Sequence, residues 1–141
     1  MKRILVGVDG SKESRVAANF AAEIAGAIGA QLVIVSAVPA LAAIEGAPEL
    51  IPRAVEWEKK EREAAVALVK DIAGTIRKGI VVETMVVTGA AAVMLADQAL
   101  AGDVEMVVVG HRGRNAVARA LLGSVADRLV QISSKPVLIV R

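Results

Sequence analysis

Late in the chain the run Val107-Val108-Val109-Gly110-His111-Arg112-Gly113 is followed, after nine residues, by Gly123-Ser124-Val125. An apolar run ending in glycine, a loop carrying glycine and arginine, and a Gly-Ser pair heading a helical pattern form a recipe for holding phosphate at a strand end. Backbone N–H groups at a helix N-terminus, helped by the helix dipole, attract an anion, and glycines let that anion approach the main chain. A second polar cluster, Asp9-Gly10-Ser11, closes the first apolar run of the chain. The chemistry these residues suggest first is a nucleotide site.

Catalysis would need a base or nucleophile beside the phosphates. Asp9, Ser124 and His111 are available, but no second carboxylate lies nearby in sequence to complete a two-metal centre. No Gly-x4-Gly-Lys-Ser/Thr loop is present. The chain has no cysteine and one histidine, which excludes disulfides, thiol chemistry and cysteine metal sites. A phosphoryl-accepting receiver would want an aspartate where the third strand ends in Val86-Val87-Thr88-Gly89, and a flavin site would want aromatic residues that the composition lacks. The balance of 17 basic to 15 acidic residues, with one Trp, one Phe and no Tyr, argues against nucleic acid as a partner. What remains is a nucleotide-dependent regulatory module, with no residue assigned a catalytic role. Two alternatives stay open, slow hydrolysis of the bound nucleotide and a structural dimer that binds no nucleotide.

The elements that must position these residues fit a single domain spanning 1–141. Hydrophobic residues make up 55% of the chain, which is incompatible with disorder, yet no apolar run approaches the ~20 residues that cross a bilayer. Met1-Lys2-Arg3 runs directly into a short strand-like segment, without the pattern of a signal peptide, so the expectation is a soluble, cytoplasmic protein with no membrane partner.

Ile4 to Val8 reads as a strand buried on both faces. A helix follows, marked by Val16, Phe20, Ile24 and Ile28 with Ala17, Ala21 and Ala25 alongside, capped by Ser11 or Ser14 and closed by Gly29. A second strand runs from Leu32 to about Val38. Residues 39–52 contain Pro39, Pro48 and Pro52 and are expected to be irregular. A charged helix spans roughly Arg53 to Ile76, with Leu68, Ile72 and Ile76 as its core stripe and the pairs Glu56/Lys60 and Glu58/Arg62 on its solvated face. Trp57, at its polar end, covers a hydrophobic edge or a partner. A third strand, Ile80 to Val87, is interrupted by Glu83 and Thr84, as an edge strand would be. A short helix, Ala90 to Leu100, leads to a fourth strand, Met106 to Val109. Val125, Leu129 and Ile132 mark the last helix, and Val137 to Val140 the fifth strand.

This alternation predicts a doubly wound α/β fold with a five-stranded parallel sheet. Two strand orders compete, 2-1-3-4-5 and 3-2-1-4-5. The second puts the interrupted third strand and the fifth strand outside and the uninterrupted apolar runs inside. It also sets Asp9-Gly10-Ser11 against Gly110–Gly113 across the topological switch point, where open α/β sheets bind ligands. In that order the fifth strand is an unprotected edge, which pairing with a second copy across a two-fold axis would cover. His111 reads as a surface residue, Asp127 and Arg128 as members of structural pairs, and Arg114 and Arg119 as either phosphate partners or solvated charges.

With the Asp9-Gly10-Ser11 turn, the Gly110-x2-Gly113-x9-Gly123-Ser124 spacing and Ser134-Lys135-Pro136-Val137 before the last strand, the whole chain resembles the universal stress protein family, specifically its ATP-binding branch. The resemblance implies a Rossmann-like sheet of the adenine nucleotide alpha hydrolase type in the order 3-2-1-4-5. It also implies a homodimer through the fifth strands, a protein partner of unknown identity, and a role in stress response. It implies ATP at the ends of strands 1, 2 and 4, with Asp9, Gly10 and Ser11 at the nucleotide and Asp9 on the ribose or on a phosphate-bound Mg2+. Val38 would pack on adenine, while Val109, Gly110, Arg112 and Gly113 would line the phosphate loop. Gly123, Ser124 and Val125 would bind phosphate oxygens. The chain departs from the family where His111 stands in place of a usual serine and Ala126 in place of a hydroxyl residue found in some members; neither change removes a backbone donor.

Overall fold

A computed structural model describes residues 1–40, 46–113 and 121–141. Strands and helices alternate: β1 (Arg3–Gly7), α1 (Lys12–Ile28), β2 (Gln31–Val38), α2 (Ile51–Thr75), β3 (Val82–Thr88), α3 (Ala91–Gln98), β4 (Val104–Gly110), α4 (Ser124–Ile132) and β5 (Val137–Val140). All strand pairs are parallel and the order is β3-β2-β1-β4-β5. Of the two orders left open by the sequence, this is the one that places β3 and β5 outside.

The order dictates where the helices lie. From β1 to β3 the chain moves one way across the sheet, and from β3 through β4 to β5 it moves the other way. Because such crossovers share one hand, the first two helices and the last two cover opposite faces. The core divides accordingly. Ile4, Val6, Leu32, Ile34 and Val108 pack with the alanines of α1 and with Val69 and Ile72 of α2. The alternate residues Leu5, Val33, Val35, Val107 and Val109 pack with Leu95 of α3 and Leu129 of α4. The uninterrupted apolar runs Ile4–Val6, Leu32–Val35 and Met106–Val109 are thus explained by burial on both sides.

The fold decides which row of α1 faces the sheet, and it corrects one sequence expectation. The row Val16, Phe20, Ile24 and Ile28 announces α1 but is not its buried face: Phe20 is 46% and Ile28 50% exposed, whereas Ala17, Ala18, Ala21 and Ala25 are fully buried. Small side chains let the helix axis approach the sheet, and the larger residues are left on the flanks, where Ile24 alone of the row packs against the core. The expected irregular stretch also ends early. Pro48–Leu50 forms a short 3-10 turn, and α2 begins at Ile51 with Pro52 in its first turn. Proline is tolerated there because first-turn N–H groups have no intrahelical acceptor to lose.

The expected core stripe of α2 is largely observed, with Ile72 buried and Leu68 and Ile76 packing partly against the core; Ala65 and Val69 complete its buried face. The Glu58/Arg62 pair forms at 3.7 Å. At the opposite end of the sheet from the glycine loop, Arg3 reaches Glu83 of β3 at 3.3 Å and Asp103 at 3.8 Å, which ties the edge strand to β1. Among the described residues no helix is long and apolar enough to cross a membrane.

Candidate functional site

At the carboxyl end of the sheet, β1 turns into α1 through a hydrogen-bonded knot. Asp9 Oδ1 accepts from the Ser11 N–H at 2.9 Å, and Ser11 caps α1 by accepting from the Ser14 N–H at 3.1 Å. The Ser14 hydroxyl donates to the Ser11 carbonyl at 3.0 Å and accepts from the Asp9 N–H at 3.3 Å. Gly10, at φ +88°, makes the turn in a backbone conformation that other residues rarely adopt. One carboxylate oxygen of Asp9 is therefore committed to the turn. The other, Oδ2, faces Gly113 so closely that a Cβ there would sit 2.8 Å from it.

The glycine loop is pinned between the same turn and the last helix. The His111 N–H donates to the Val140 carbonyl at 2.9 Å, and the His111 carbonyl accepts from the Gly123 N–H at 2.7 Å. Gly123 lies against the Arg112–Gly113 backbone, with a notional Cβ only 3.0 Å from Arg112 Cα. Gly110 lies against the first turn of α1, where a Cβ would come within 2.9 Å of the Glu13 main chain. Gly123 is the N-cap of α4 and brings no side chain to cap it, so the N–H groups of Ser124, Val125 and Ala126 receive no cap from that position, while the Asp127 N–H donates to the Gly123 carbonyl at 2.9 Å. Ala90, N-cap of α3, likewise offers no side-chain cap.

Between these elements lies a cleft of about 630 Å³, within the range of small-molecule sites. Val35, Ala37, Val87, Leu95 and Val109 give it apolar walls, and Asp9, Ser14, Arg112 and Ser124 supply polar groups. Arg112 is held from two sides: its Nη2 lies 3.4 Å from Glu13 Oε1, and its Nε donates to His111 Nε2 at 3.1 Å. His111 is not the simple surface residue expected from the sequence. Its ring is partly buried, and Nδ1 is enclosed without a hydrogen-bond partner among the described residues.

The structure brings together Asp9, Val109, Gly110, Arg112, Gly113, Gly123, Ser124 and Val125, all of which line the cleft. Gly10 and Ser11 stand behind it and shape the turn that carries Asp9. Val38 does not line it: its side chain is 1% exposed, and its carbonyl accepts from the Gly89 N–H at 2.8 Å. Strand alternation turns Ala37 into the cleft instead, followed by Pro39. Sequence reasoning also missed the apolar wall from β3 and α3, Val87, Gly89 and Leu95. The usable signal was the period-two alternation of β2, which groups Val35 with Ala37, but it needed the strand order to be read. Arg114 and Arg119 lie outside the described residues. Asp127 does make a structural pair, accepting from Gln131 Nε2 at 3.2 Å.

No group of three or more His, Cys, Asp or Glu side chains converges among the described residues. The Asp9 carboxylate beside Gly113 suits a Mg2+ carried mainly by ligand phosphates, which commonly takes one or two protein carboxylates.

The model of the universal stress protein family matches residues 1–141. A universal stress protein of Mycobacterium tuberculosis is 34% identical over 141 residues, covering 97% of the chain and 47% of that protein, so the chain spans about half the length of such relatives. Universal stress protein UspA of Lactobacillus plantarum has the same fold, with a TM-score of 0.82 at 24% identity over 99% of this chain and 97% of that one. A universal stress protein solved in complex with cAMP superimposes with a TM-score of 0.75 at 26% identity, over 99% of this chain and 97% of that one. With the match running from Met1 to Arg141 and the glycine loop, the switch-point cleft and the strand order all in place, this chain belongs to the universal stress protein family.

Proposed function

We propose that the chain is an adenine-nucleotide-binding regulatory module that takes ATP, with Mg2+ on the phosphates, in the switch-point cleft. The observation that carries this reading is the pairing of an apolar slot with an uncapped helix N-terminus in one cavity. A base needs flat apolar walls such as those of Val35, Ala37, Val109 and Leu95, and phosphates need N–H donors such as those of Ser124 and Val125. The related universal stress protein in complex with cAMP supports an adenine ligand as the class. Asp9 Oδ2 beside Gly113 is the group in reach of a ribose hydroxyl or a phosphate-bound cation.

Isothermal titration of the purified protein with ATP tests the reading. Saturable binding is expected, with affinity lost in Asp9→Ala and in Gly113→Ala while the thermal unfolding profile shows an intact fold. In Gly113→Ala the new methyl group meets, among the described residues, the end of the Asp9 carboxylate side chain and no backbone, so the damage is expected to stay within the site. Equal ATP affinity in the parent and both variants would remove Asp9 and Gly113 from the site.

We also propose a homodimer through β5. That strand bonds only to β4 and leaves its outer edge unpaired among the described strands, and Val137 to Val140 are all half-buried. An apolar edge of this kind is normally covered, and a second copy supplies a matching strand.

A further inference from the structure

The ion pair between Arg112 and Glu13 has no part in the proposal above, although it stands at the phosphate end of the cleft. Arg112 lines the cavity, and Glu13 lies immediately behind Gly110 on the first turn of α1. Both side chains are about one quarter exposed, so their charges are only partly screened by solvent. Among the described residues, the charged side chains gathered at this end are Asp9, Glu13 and Arg112. The Glu13 carboxylate thus sits against the Arg112 guanidinium in a site whose backbone donors are arranged for an anion.

We propose that Glu13 is a specificity-determining residue: a fixed counter-charge to Arg112 that grades ligands by phosphate charge and disfavours a metal-free triphosphate relative to a monophosphate or nucleoside. This rests on the nucleotide reading of the cleft. An incoming phosphate that approaches the Arg112 guanidinium also approaches the Glu13 carboxylate 3.4 Å away, so its attraction to one is offset by repulsion from the other. The offset grows with every negative charge on the ligand and is absent for a neutral nucleoside. Geometry is held separately. His111 Nε2 accepts from Arg112 Nε, and a glutamine at position 13 keeps an oxygen able to accept from Nη2. Replacing Glu13 by Gln therefore removes the charge and leaves the guanidinium in place.

The test is titration calorimetry with adenosine, AMP and ATP at low ionic strength without divalent metal, on the parent protein, Glu13→Gln and Arg112→Gln. In Glu13→Gln the affinity for adenosine is expected to stay the same, while AMP tightens about twofold and ATP about fivefold, as screened Coulomb interactions over several ångströms imply. The gain is expected to shrink on adding salt to roughly 0.5 M, because the Debye length then falls to about half its value at 0.1 M. Arg112→Gln is expected to weaken ATP and spare adenosine. Weaker ATP binding in Glu13→Gln would show that Glu13 positions Arg112 instead of opposing the phosphates, and would overturn the proposal. Equal shifts for adenosine and ATP, or no shift, would overturn it as well. A parent protein that binds none of the three would defeat the nucleotide reading itself, an outcome distinct from binding that ignores position 13.

Discussion

Three glycines of one motif stand in three different physical situations. A side chain at Gly110 would run into the main chain of Glu13, one at Gly123 into the backbone of the loop at Arg112, and one at Gly113 only into the Asp9 carboxylate. Backbone cannot yield as a side-chain tip can. Gly110→Ala is therefore expected to lower stability by about 1–3 kcal/mol, as overpacking of a closed contact does, and a shift in the urea midpoint with an unchanged slope would register it. A stability equal to that of the parent would show that α1 does not press on the loop. The spacing of the motif was legible in the sequence. The reason for each glycine was not, because Glu13 and Gly110 are 97 positions apart in the chain and meet only in the folded molecule.

At the scale of the elements, α1 shows how a periodic pattern can mark a helix correctly and mislead about its face. A row of large residues and a row of alanines run side by side along the helix, and either could in principle face the sheet. The alanines do, since the sheet beneath is already filled by Ile4, Val6 and Ile34. Ala21→Leu is accordingly expected to destabilise the protein by about 1–3 kcal/mol, while Phe20→Ser changes stability by less than about 0.5 kcal/mol. Denaturant titration of both variants checks the assignment, and the reverse ranking would return Phe20 to the core. Boundaries elsewhere moved by a residue or two, and Pro52 lies inside α2 because a helix start accepts what a helix interior rejects.

For the whole molecule, the sheet order decides more than any single element does. Reversal of the chain direction between β1 and β4 opens the cleft, sets the Asp9 turn beside the glycine loop, and leaves β5 with a free edge. Light scattering coupled to gel filtration is expected to give a mass twice that of the 141-residue chain. A monomer at micromolar concentration would leave the β5 edge open and remove the dimer from the proposal.

By itself the sequence determined the alternation of strands and helices, the continuous apolar runs of a sheet buried on both faces, and the position of the glycine loop. These are local properties: periodicity, turn chemistry and glycine spacing act over a few residues. Only the tertiary structure decided which face of each element turns inward, that Ala37 and not Val38 borders the cleft, and that Glu13 meets Arg112. Those outcomes depend on contacts between residues far apart in the chain. Shape and close packing select among faces that the local pattern leaves equivalent.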